Sequence, residues 1–175
     1  MKHNRTTIHK TLLYDILFYG IMIFYMIILF FLLFHKKSTG TFQSVNMIPF
    51  RTISSYLFSG DIINQSFAIS NLLGNIVIFI PMGIYLPLLI KRKPLLIHTI
   101  IISCINICVE IFQYIFAVGA SDIDDVILNT IGGFIGILLF RILHLTFKDK
   151  VKKVVTILAP IGGIIAFIIL ILINM

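Results

Sequence analysis

Three of the chain's seven acidic residues stand together at Asp122, Asp124 and Asp125, with an amide at Asn129. Glu110 and Gln113 precede them inside an apolar run, and Asn71 and Asn75 lie four apart inside another. Asn46 and Arg51 come earlier, flanking Met47-Ile48-Pro49-Phe50. Carboxylates and carboxamides offer oxygen. In such a set Glu110 is the candidate acid or base, and Asp122 and Asp125 are the candidate ligands of a divalent cation such as Mg²⁺, Ca²⁺ or Mn²⁺. Alternatively, some carboxyls stay protonated and donate hydrogen bonds, because a buried carboxylate needs a partner or a proton. The residues alone leave both open.

Each feature also has a plain structural role. Asn71 and Asn75 serve equally as interhelical hydrogen-bonding groups, and Gly132 and Gly136 as a close-packing GxxxG pair. Asp122 suits a helix N-cap, where acidic residues complement the positive end of the dipole. Three carboxylates exceed what a cap requires. Glu110, inside an apolar run, is a functional candidate by default.

The elements that position these groups are apolar. Hydrophobic residues make up 59% of the chain, and mean hydropathy is +1.07. That composition cannot supply the polar shell of a water-soluble core. Apolar runs at 13–34, 69–90, 95–116, 123–145 and 154–173 each approach the roughly 20 residues a membrane crossing needs. The chain therefore reads as all-α: a multi-pass bundle of five transmembrane helices in a cell membrane. Pro81, Gly83 and Pro87 predict a kink in the second. Residues 46–140 hold the motifs, and the helices at 13–34 and 154–173 are expected at the periphery of one domain.

Basic residues set the orientation. Lys2, Arg5 and Lys10, then Lys91, Arg92 and Lys93, then Arg141, Lys148, Lys150, Lys152 and Lys153 fall on one side. Lys36, Lys37 and Arg51 fall on the other. The N-terminus is expected in the cytoplasm and the C-terminus outside. Asn46, Arg51, Asn71, Asn75, Glu110, Gln113, Asp122, Asp124, Asp125 and Asn129 then all lie toward the outer end, as one expected ligand-binding site. Asp122, Asp125 and Asn129 share a helix face, whereas Asp124 points to solvent or to the first outer loop. Arg51 could pair with Glu110 or an aspartate. The spacing of Phe50, Ile53 and Leu57 predicts a short helix lying in the outer interface.

The basic clusters alternate with apolar runs, which excludes a nucleic-acid platform. Cys104 and Cys108 show no metal or disulfide spacing. No HExxH, GxSxG or Walker motif is present, and the histidines form no site. No inverted repeat and no polar path to the cytoplasmic half support transport.

The segments Asn46-Met-Ile-Pro-Phe50, Asn71-Leu-Leu-Gly-Asn75, Phe79-Ile-Pro-Met-Gly83, Glu110-Ile-Phe-Gln113 and Asp122 to Gly133 occur in this order. Together they resemble the VanZ-like family of bacterial membrane proteins. The resemblance implies a part in resistance to teicoplanin, a glycopeptide acting on cell-wall precursors at the outer membrane face. It also implies an arginine shortly before the aspartates. Gly119, Ala120 and Ser121 stand there instead, which makes Arg51, the one outer arginine, the candidate cation of the site. Partners expected on this reading are the lipid bilayer and a lipid-linked cell-wall precursor or lipoglycopeptide. A metal-dependent membrane enzyme acting on a lipid-linked substrate, or a small membrane scaffold, are the alternatives.

Overall fold

The computed structural model describes residues 2–34, 45–57, 62–116, 118 and 121–173. Lys36, Lys37, Gly119 and Ala120 lie outside the described residues, as does most of the predicted first loop. The chain is all-α. Its helices are α1 (Lys2–Phe34), α2 (Arg51–Leu57), α3 (Ile62–Leu89), α4 (Leu95–Phe116), α5 (Ile123–Phe147) and α6 (Val151–Ile173). Among the described residues, four stretches are long and apolar enough to cross a membrane: Leu12–Phe34, Ile69–Leu89, Leu95–Phe116 and Ile123–Ile164. The last runs through α5, a single 3₁₀ turn at Lys148–Lys150 and the first part of α6.

The centre of the bundle is the crossing of α3 and α5. A Cβ placed on Gly132 would stand 2.0 Å from the Ile76 carbonyl oxygen, and one on Gly136 2.1 Å from that of Ile80. A Cβ on Gly83 would meet the Gly133 oxygen at 2.0 Å. At all three positions the glycine hydrogen occupies the place a side chain would need. The backbones touch, and Cα–H groups face carbonyl oxygens across the crossing. The order of these contacts shows that α3 and α5 run parallel, with α4 antiparallel between them in sequence. Gly83, expected only to bend its helix, is therefore part of the packing seam. Pro81 and Pro87 lie inside α3 without ending it. Near Pro81, the Ile78 carbonyl accepts a hydrogen bond from Tyr25 Oη of α1 at 2.8 Å.

Around the crossing, Leu29, Phe79, Met82, Leu86, Ile102 and Ile137 form a buried cluster. A second cluster joins Phe18 of α1, Tyr85 of α3, and Val151 and Val155 of α6. The chain turns at Lys148, which adopts φ 48°. Lys152 then pairs with Asp15 of α1 at 2.6 Å and lies over the rings of Phe18 and Tyr19. Between α3 and α4, buried His98 donates from Nε2 to the Ile90 carbonyl at 2.9 Å and fixes the turn that contains Lys91, Arg92 and Lys93.

Most apolar side chains of α1 face outward, among them Phe24, Ile27 and Phe30. Lipid tails solvate such a surface as well as protein does, so burying it brings no hydrophobic gain. Cys104 and Cys108 also face outward. The double replacement with alanine should leave thermal stability within about 0.5 kcal/mol of the parent, as for any surface change that removes no partner. Melting of the purified protein in detergent checks this.

Candidate functional site

The predicted polar residues gather at one end of the bundle. This end holds the start of α5, the last turns of α4, the early turns of the apolar part of α3, and α2. A two-residue parallel pairing, Val45 with Ser121 and Asn46 with Asp122, ties the segment before α2 to the segment before α5. Nothing in the helical periodicity announces this pairing.

Asp122 caps α5. Its backbone is extended (φ −131°, ψ 121°), and its Oδ1 accepts from the Asp124 amide at 2.9 Å. The same oxygen accepts from Asn46 Nδ2 at 2.9 Å, and Oδ2 accepts from Thr52 Oγ1 at 2.6 Å. Asn46 Nδ2 also donates to Thr52 Oγ1 at 2.9 Å. The Asp122 amide itself donates to Glu110 Oε2 at 2.9 Å, which joins α4 to the cap of α5.

Asp124 was expected to point to solvent or to the outer loop. It is only 1% exposed, and it receives that loop. Its Oδ1 accepts from the Phe50 amide at 2.5 Å. Its Oδ2 accepts from the amides of Thr52 at 2.9 Å and Ile53 at 3.2 Å. These donors are at the start of α2, where backbone N–H groups have no helical acceptor. One carboxylate on α5 thus supplies the N-terminal acceptors of another helix. Phe50 sits at φ 64°, a left-handed conformation that a bulky residue adopts only under constraint. The grip of Asp124 on its amide is part of that constraint.

Asp125, one residue on, is half-buried and accepts from Asn75 Nδ2 of α3 at 2.5 Å. Glu110 and Gln113 are buried, at 8% and 4% exposure. Gln113 Nε2 donates to the Leu33 carbonyl at 2.7 Å and so holds α1 to α4. Asn129 is buried, and its Oδ1 meets no donor. Asn71 lies exposed on the outer side of α3. Arg51 is exposed, and among the described residues it forms no ion pair with Glu110 or an aspartate. Its expected pairing is thereby corrected. Backbone amides and hydroxyls already satisfy Asp122 and Asp124, so those carboxylates have no need of a guanidinium.

The same accounting bears on a metal. Both oxygens of Asp122 accept from protein donors, and so do both oxygens of Asp124. Among the described residues, no three of His, Cys, Asp or Glu are placed to hold an ion. Of the two candidate ligands Asp122 and Asp125, Asp122 already has donors of the chain on both oxygens.

Two groups escaped the reading of the sequence. Thr52 closes the ring between Asn46 and Asp122, and no local pattern marks it. Asn106 is 1% exposed and lies one helical turn from Glu110. The inward stripe of α4 is His98, Ile102, Asn106, Glu110 and Gln113. Its spacing by four and three could have been read directly. The polar surface therefore extends further along the bundle than the outer groups alone indicated.

The comparisons agree with this arrangement of motifs. The family profile described as VanZ/LLP1 matches residues 16–144. The chain belongs to the VanZ/LLP1 family. Protein VanZ of Enterococcus faecium is 32% identical over 108 residues, which is 62% of this chain and 59% of that protein. The aligned part spans less than two thirds of that relative. No solved structure matches the chain. Every segment that carries the VanZ resemblance, from Asn46 to Gly133, lies within the matched family region, and the network of Asn46, Glu110, Asp122 and Asp124 is built from those segments.

Proposed function

We propose that the chain is a multi-pass VanZ-type protein of the cell membrane that contributes to teicoplanin-type glycopeptide resistance or to envelope homeostasis. It crosses the membrane five times, with the N-terminus in the cytoplasm and the C-terminus outside. The interlock of Asp122 and Asp124 with residues 46–53 carries this reading. It builds a rigid polar end, where Glu110, Asn75, Asp125 and Asn129 are held on packed helices. Lys91, Arg92, Lys93, Arg141, Lys148 and Lys150 are exposed at the opposite ends of these helices, as the positive-inside bias requires of a cytoplasmic face. Likewise α6, packed along α1 beyond the turn at Lys148, supports a fifth crossing.

Around the polar end, Met47, Ile48 and Phe50 are exposed at 77%, 57% and 58%. Apolar side chains on a clamped loop beside Arg51 suit the headgroup boundary and support an interfacial position for α2. The site then opens at the leaflet that carries lipid-linked cell-wall precursors and lipoglycopeptides.

The reading is tested by expression in a susceptible Gram-positive host. The teicoplanin inhibitory concentration should rise at least fourfold. An unchanged value, with the protein confirmed in the membrane, refutes the resistance role. Topology is checked separately in the C104A/C108A background. A membrane-impermeant maleimide applied to intact cells should label Met47→Cys and leave Lys91→Cys unlabelled. The reverse pattern would invert the orientation.

A further inference from the structure

Among the described residues, four buried side-chain atoms have no hydrogen-bond partner: Asn106 Oδ1, Gln113 Oε1, Asn129 Oδ1 and Thr130 Oγ1. Three are carboxamide oxygens, which only accept. The orientation of two is fixed by their own amide nitrogens. Asn106 Nδ2 donates to the Ile102 carbonyl at 3.0 Å, and Gln113 Nε2 to that of Leu33. Turning either amide over would set oxygen against oxygen. A buried polar atom left unpaired costs about 1–3 kcal/mol, so such atoms call for an explanation.

Helix register places three of the four at one depth. A Cβ on Gly133 of α5 would meet Ile102 of α4, and the Asp122 amide meets Glu110. Between these fixed points the antiparallel helices bring Asn106 level with Asn129 and Thr130. Asn106 follows Glu110, and Asn129 follows Asp125, each by one turn on the same helix face. On each helix the amide oxygen therefore lies one turn deeper than the carboxylate.

We propose that Asn106, Asn129 and Thr130 form a buried subsite for a primary ammonium group. The proposal rests on the reading of this end as the ligand-binding end. A primary ammonium carries three N–H donors, one for each unpaired oxygen. The acidic groups one turn outward favour a cation over an anion. A phosphate or carboxylate would present oxygen to oxygen, and a quaternary ammonium has no N–H to give. Specificity of this kind comes from the cost of leaving buried acceptors unmet. The ammonium belongs either to a lipid headgroup or to a water-soluble amine.

The test uses the full chain in phosphatidylcholine nanodiscs, which contain no primary amine. The probes are dodecylammonium, dodecyltrimethylammonium, dodecyl phosphate and ethanolamine, compared at equal loading by thermal shift. Dodecylammonium should raise Tm by several degrees more than either other dodecyl probe. A matching shift with ethanolamine identifies a free amine as sufficient, and a shift with dodecylammonium alone identifies a lipid source. Both results support the subsite.

Asn106→Leu, Asn129→Leu and Thr130→Val should each abolish the difference between primary and quaternary probes. Each variant removes an unpaired buried oxygen, and Asn106→Leu gives up only the bond from Nδ2 to the Ile102 carbonyl, so these variants should fold. Equal shifts for primary and quaternary probes overturn the proposal. A stronger shift with dodecyl phosphate does so too. A difference that survives all three substitutions means ordered water only at these oxygens, and also refutes it. Teicoplanin susceptibility is measured independently, so resistance without amine selectivity would remove the subsite and leave the proposed role standing.

Discussion

Gly136→Leu will leave no monodisperse folded protein, and Gly132→Leu will behave the same way. At each site even a single added carbon would stand about 2 Å from a carbonyl oxygen of α3. Real contacts of that kind need more than 3.0 Å, and the obstacle is backbone, which cannot rotate away. The two central helices would have to separate by over an ångström. Separation would loosen Phe79, Met82 and Ile137 and pull Asn75 from Asp125. We expect a loss of about 4 kcal/mol or more, above the usual ~1–3 kcal/mol of an overpacked core because the obstacle is backbone. Size-exclusion profiles and melting in detergent report it. Gly162→Ala and Gly163→Ala are the controls, since a Cβ there meets nothing within 4 Å. They should melt at or above the parent temperature, because alanine favours helix over glycine by about 1 kcal/mol. If Gly136→Leu melts like the parent, the described crossing is wrong.

Asp124→Ala should cost about 3 kcal/mol and release the segment 45–57. Three backbone amides, of Phe50, Thr52 and Ile53, lose their acceptor together. Hydrogen bonds to an ionised group contribute about 1.5–3 kcal/mol each, and part of that returns when the freed amides reach water. Phe50 would then leave its left-handed conformation. Asp124→Asn should fall between the two. Its one remaining oxygen can serve Thr52 and Ile53, but its NH₂ must then face the Phe50 amide, donor against donor. Limited proteolysis within 45–57, together with melting, separates local release from global loss. Cleavage no faster than in the parent would show that Asp124 is not the clamp. Asp122→Ala, which removes the α5 cap and the contacts to Asn46 and Thr52, should cost about 1–2 kcal/mol by the same measurement.

The substitutions also separate the roles that the acidic segment combines. Its aspartates were expected in one ligand-binding site, with Asp122 and Asp125 on one helix face and Asp124 turned to solvent or to the outer loop. In the structure Asp122 and Asp124 hold the chain together, and Asp125 and Glu110 belong to helix faces that lead inward. Charge near a membrane invited a functional reading of all four. Two of them serve as the acceptors that backbone amides at helix starts require.

The sequence by itself determined the helices and their grouping. Apolar runs of crossing length, the spacing of amides and carboxylates along helix faces, and the glycine pair in α5 follow from periods of 3.6 residues and from composition. Those signals are local, and local physics produces them. Asn106 was legible in the same way, one turn from Glu110. Only the tertiary structure decided which donors each acceptor meets. The pairing of Asn46 with Asp122, the closing of the ring by Thr52, and the burial of Asp124 under α2 join residues some seventy positions apart. The meeting of Gly83 with Gly133 is likewise between residues far apart in the chain. Hydrogen bonds have short range and strict direction, so partners this distant in sequence are fixed by how helices cross.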